Sequence, residues 1–111
     1  MKKTKKAVIQ IHVELDEKQL PAKIEWEADG NKRDSKAMLV SFFDRETKET
    51  MKIDLWTKDM QIAEMDRFMF QTFRALSDTY FRATQNKELA TDMQKFVQYF
   101  GEKTAVIPKA E

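Results

Sequence analysis

Two stretches decide the fold: Ala37-Met38-Leu39-Val40-Ser41-Phe42-Phe43, and Met51-Lys52-Ile53-Asp54-Leu55-Trp56 after the charged break Asp44 to Glu49. The second alternates, with Met51, Ile53 and Leu55 on one side and Lys52, Asp54 and Trp56 on the other, the period of two of a half-buried strand. The first is apolar on both sides, as a strand covered on both faces would be. The short turn between them makes an antiparallel hairpin, since a parallel crossover needs a dozen residues or more.

Towards the N-terminus the same period recurs. Ile9, Ile11, Val13 and Leu15 alternate with Gln10, His12 and Glu14, and Ile24 and Trp26 alternate with Lys23, Glu25 and Glu27. Asp16 to Pro21 reads as a turn between these strands, and the polar run Asp29 to Ser35 reads as a loop. Towards the C-terminus the period becomes helical. Ile62, Met65, Met69, Phe73, Leu76, Tyr80 and Ala83 recur at three- and four-residue steps, with Asp59 as the expected N-cap. Thr84 to Asn86 breaks that helix. A second, capped by Asn86, carries Leu89, Met93, Phe96, Val97 and Phe100, with Gly101 expected just beyond its end. Leu76 and Phe96 sit mid-stripe and are expected core residues. The expectation is an α+β fold: a four-stranded antiparallel sheet and then two helices, ββββαα, in a single domain over residues 1–111. A basic arm (1–6) precedes the sheet (7–56), and a flexible tail (104–111) follows the helical pair (59–101).

Composition removes many functions. Of 111 residues 41% are hydrophobic and 35% charged, and twelve are aromatic, so the chain has the apolar content to fold. A net charge of +1 gives no field to steer it towards nucleic acid. Without cysteine there is no disulfide, thiolate nucleophile or zinc finger. Lys2, Lys3, Lys5 and Lys6 resemble the start of a signal peptide, but His12, Glu14 and Asp16 interrupt the apolar run that would have to follow. A cytoplasmic location is expected, and the lysines read as a solubilising arm.

Catalytic chemistry is thinly supplied. His12 is the sole histidine, on the polar side of its strand. Glu14, Glu25, Glu27 and Asp54 could share a sheet face, but paired acids need a cleft, and lysines stand ready to neutralise them. The loop Asp29-Gly30-Asn31 to Asp34 fails the EF-hand spacing, and two glycines cannot build a phosphate-binding loop. No catalytic, cofactor or metal residues are assigned, and no enzyme activity is expected.

Apolar surface, by contrast, is in surplus. Met38, Val40 and Phe42 share the side of their strand turned away from Leu39 and Phe43, and two helices can cover only one face of a sheet. Trp56 points away from Met51, Ile53 and Leu55. Phe70 and Phe81 flank the stripe of the first helix. Met38, Val40, Phe42, Trp56, Phe70 and Phe81 are therefore the candidate interaction surface. A homo-oligomer, dimer or higher, is one way to cover it, and seven methionines suit adaptable contacts as well as core filling.

Three segments resemble a known family. Pro21-Ala22-Lys23-Ile24-Glu25-Trp26-Glu27-Ala28-Asp29-Gly30, Lys36-Ala37-Met38 and Ile53-Asp54-Leu55-Trp56-Thr57-Lys58-Asp59-Met60 are similar to the gliding-motility-associated GldC family of Bacteroidetes. Arg82-Ala83-Thr84 and Phe100-Gly101 extend the match, though the family often has Pro after Met60 where this chain has Gln61. The resemblance implies a small accessory of the gliding machinery and its linked secretion system, with protein partners and no active site. The ββββαα order is also similar to that of the export chaperone SecB, an analogy of topology alone. An adaptor or chaperone-like binder, a purely structural oligomeric subunit, and a small-ligand or catalytic domain around His12 are the three functional readings.

Overall fold

The computed structural model describes residues 4–109; Met1 to Lys3 of the basic arm and the last two tail residues lie outside them. The chain is α+β, with five strands in two antiparallel sheets and then two helices. It divides into two compact units, one up to Met60 and one from Gln61.

In the first unit β1 (Ile9–Leu15), β2 (Pro21–Ala28) and β3 (Asn31–Ser35) form one sheet in the order β1-β2-β3. β4 (Ala37–Phe43) and β5 (Thr50–Trp56) form the other. β3 corrects the four-strand expectation. Asp29 and Gly30 both take positive φ, 51° and 77°, the two-residue hairpin turn for which Asp-Gly is suited. The polar run read as a loop is the strand that returns from this turn. Its charged side chains suit an outer strand, whose exposed edge must discourage further pairing.

Two aspartates shape the other turns. Asp16 Oδ1 accepts the backbone N–H groups of Lys18 and Leu20 at 2.8 and 3.0 Å, and Asp16 Oδ2 takes the Lys58 ammonium at 2.7 Å. Asp44 Oδ2 accepts the N–H groups of Glu46 and Thr47. Thr57, only 4% exposed, pins the junction of β3 and β4: its N–H donates to the Lys36 carbonyl at 2.7 Å, which also lies 3.2 Å from its hydroxyl. Asp59 holds the Thr57 hydroxyl and does not cap the helix. Ile24, 1% exposed, is the fully buried apolar side chain of this unit.

The second unit is a helical pair, α1 (Ile62–Thr84) and α2 (Lys87–Lys103). Gln61 is the N-cap of α1, and its N–H donates to the Glu64 carboxylate at 3.0 Å, the reach-back half of a capping box. Asn86 caps α2 as expected, accepting the Leu89 N–H at 3.1 Å.

The buried lines overlap the expected stripes only at Val97. On α1 they are Phe70 and Ser77, and on α2 Ala90, Val97 and Gly101. Leu76 and Phe96, expected in the core, are each 50% exposed. Size is part of the physical reason: Ser77, Ala90 and Gly101 are small enough to be covered entirely, whereas large stripe residues such as Leu76 and Phe96 keep half their surface in water. Gly101 accordingly lies inside α2 and not beyond it. A Cβ there would come within 2.5 Å of Phe70 Cε1 and 2.8 Å of Ile107 Cγ1. The tail is tied down as far as Ile107, because the N–H groups of Val106 and Ile107 both donate to the Gly101 carbonyl.

Candidate functional site

The register of β4 on β5 decides which side chains stand together. Met38 pairs with Leu55, Val40 with Ile53 and Phe42 with Met51. Residues directly opposite in an antiparallel pair project to the same face. One face of this hairpin therefore carries six apolar side chains and no polar one. Towards the Asp44–Glu49 turn that face is open: Phe42 is 63% exposed, Met51 68% and Ile53 50%. Met38, Val40 and Leu55 are half-buried.

Trp56 is on the other face, opposite Ala37, together with the pairs Leu39–Asp54, Ser41–Lys52 and Phe43–Thr50. Trp56 and Phe43 are exposed, so this face is mixed, with Lys52 and Asp54 in a 2.8 Å ion pair across its middle. That ion pair holds the Asp54 carboxyl below its ordinary 3.8. The hairpin thus unites Met38, Val40 and Phe42 of the candidate surface and sets Trp56 behind them. Sequence reasoning had the alternation of Met51, Ile53 and Leu55 but did not join them to the same surface. The turn sets the pairing, and Asp44 closes it by donating its N–H to the Glu49 carbonyl at 2.8 Å.

The two remaining candidates lie in the helical unit. Phe70 is buried at 6% exposure against Gly101, with the Arg74 guanidinium 5.2 Å from its ring centre. It is part of the interior of the pair and leaves the candidate surface. Phe81 is half-buried. Beside them Phe73 meets Phe96 and Phe100 edge-on, at 5.6 and 5.2 Å between ring centres, in the geometry aromatic pairs prefer.

The polar face of the first sheet gathers the groups that could have done chemistry. His12 lies opposite Glu25, Glu14 opposite Lys23, and Glu27 between Gln10 and Lys32. Glu25 is flanked by Lys23 at 3.7 Å and Lys32 at 3.8 Å, at ion-pair distance. Asp54 belongs to the other sheet and does not join these carboxylates. Among the described residues no group of three or more His, Asp or Glu side chains is placed to hold a metal ion. The arrangement is that of charge pairing along and across the strands of a polar sheet face. No helix among the described residues is long and apolar enough to cross a membrane.

Compared with known proteins, the chain matches no curated protein and no solved structure. A family model described as gliding motility-associated protein GldC-like matches residues 21–106, from the first residue of β2 into the segment that closes over Gly101. That stretch includes both strands of the apolar hairpin and the whole helical pair, so the chain belongs to the GldC-like family of gliding motility-associated proteins.

Proposed function

We propose that this chain is a non-enzymatic accessory of gliding motility, or of the secretion system linked to it, that works in the cytoplasm by binding other proteins. The observation that carries the reading is the apolar face of the β4–β5 hairpin, with Phe42, Met51 and Ile53 each at least half exposed. Water-exposed apolar groups collected on one face favour a partner, because burying them stabilises a complex by roughly 25 cal/mol per Å² before the cost of association. The methionine and phenylalanine chemistry of the face suits an adaptor or chaperone-like role, since Met adapts its shape to varied partners. The GldC-like match supports the motility setting. The pairing of His12 and Glu25 within a lysine-flanked strand surface supports the non-enzymatic half. Affinity capture with wild type and Phe42→Glu tests the reading: motility proteins retained by the first should be lost by the second.

A further inference from the structure

β5 is an outer strand of its sheet, hydrogen-bonded to β4 on one side and to no strand on the other, with Leu20 and Pro21 at the start of β2 lining an open pocket beside its Asp54–Trp56 end. The hydrogen bonds at the two ends of the hairpin fix which peptide groups point outward. The Asp44 N–H meets the Glu49 carbonyl and the Thr57 N–H meets the Lys36 carbonyl. Carried along the register, Met51, Ile53 and Leu55 turn their N–H and C=O groups to β4. Lys52 and Asp54 turn theirs away, to an edge that has no backbone partner among the described residues.

We propose that this edge pairs with the same edge of a second copy of the chain, antiparallel and two-fold symmetric about Ile53. In that register Ile53 opposes its own copy as a non-hydrogen-bonded pair. Lys52 opposes the copy's Asp54, and Asp54 the copy's Lys52. Those two pairs are the hydrogen-bonded ones, because their N–H and C=O groups are those that point outward. Opposite charges face each other twice, and Met51 faces Leu55 on the apolar side.

Charge complementarity favours this edge: on β3 the same operation about Arg33 also opposes Lys32 to Asp34 but sets the Arg33 cation against its own copy. The same operation on β4 about Val40 would set Leu39 against Ser41 and Met38 against Phe42, with no charged pair to fix it. The Lys52–Asp54 ion pair within one chain is no obstacle, since both side chains are about half exposed and such pairs contribute little. β5 also lacks a proline or bulge, and its two edge charges, Lys52 and Asp54, neutralise each other across this register instead of opposing it. The product is a four-stranded sheet in the order β4-β5-β5-β4, whose two apolar faces run together into one. The self-pairing rests on the binding reading above and deepens it by doubling the face offered to a partner.

The natural chain has no cysteine, so a single engineered one reports the register. Ile53→Cys should form a covalent dimer under mild oxidation, because a non-hydrogen-bonded antiparallel pair has the Cα spacing a disulfide requires. Ser41→Cys, on β4, should not. By light scattering at tens of micromolar the wild type should be dimeric, and Lys52→Asp should weaken the dimer by about tenfold or more. Lys52→Asp combined with Asp54→Lys should restore it. Circular dichroism of each variant separates lost pairing from lost folding. A monomeric wild type, a dimer indifferent to Lys52→Asp, or no cross-link from Ile53→Cys each overturns the proposal. If a monomeric wild type still captures motility proteins and Phe42→Glu does not, self-pairing falls while the binding reading stands.

Discussion

Gly101 shows how much one missing methyl group can organise. In the interior of α2 a glycine costs roughly 1 kcal/mol against alanine, so its place must be justified by what lies over it. The Phe70 ring and the Ile107 side chain occupy the space a Cβ would need. Gly101→Ala should therefore lower stability by about 1–3 kcal/mol despite the better helix propensity, because the ring must move from a packed site. Urea denaturation at neutral pH measures this, and a variant as stable as wild type would mean that Phe70 moves aside freely. Asp16 acts at the same scale through charge. The Lys58 hydrogen bond, then the Leu20 and Lys18 N–H groups, hold its carboxyl below the ordinary 3.8. A group whose pKa is depressed on folding adds stability above its unfolded value and loses it as pH falls through the folded one. Asp16→Asn should thus be less stable than wild type near pH 7, with the difference shrinking below about pH 4. Unfolding midpoints at pH 7 and pH 3 check the sign, and a gap that widens in acid would contradict it.

Among the elements, the strands were more legible than the helix faces. The alternation of Ile9 to Leu15 and of Met51 to Trp56 is read directly from the sequence, because one wet face forces a period of two. β3 was hidden because Asn31-Lys32-Arg33-Asp34-Ser35 has no apolar residue to alternate. Its signal was the Asp29-Gly30 turn, which folds any following chain back into pairing. The helices were placed to within a few residues and their stripes do meet, since Phe73 packs on Phe96 and Phe100, but which residues are fully buried was misread for a physical reason. A stripe of large residues marks the contact face, whereas complete burial is easiest for residues small enough to be covered, such as Ser77 and Ala90. Phe70→Ala should accordingly cost about 3–5 kcal/mol, as a buried aromatic does. Phe96→Ala, on a half-exposed ring, should cost less than half as much. Equal losses of urea midpoint in the two variants would return Phe96 to the core. The six-residue apolar face of the hairpin was half legible, since Met38, Val40 and Phe42 stood out in sequence. Only the pairing of β4 with β5 adds Met51, Ile53 and Leu55.

For the whole molecule, the GldC-like family gives the motility setting, and the hairpin face suggests how the chain works in it. If binding through that face is the function, the polar face of the first sheet should be dispensable, His12 included. The most direct test is quantitative affinity capture from a gliding bacterium that makes a GldC-like protein, with wild type, Phe42→Glu and His12→Ala compared at matched loading. Phe42 is largely exposed, so the charged variant should keep the wild-type melting curve while removing most of the apolar contact. The account predicts that wild type and His12→Ala retain the same motility or secretion proteins, and that Phe42→Glu loses them by about tenfold or more, as a truncated hot spot would. Undiminished capture by a folded Phe42→Glu, or its loss in a folded His12→Ala alone, would contradict it.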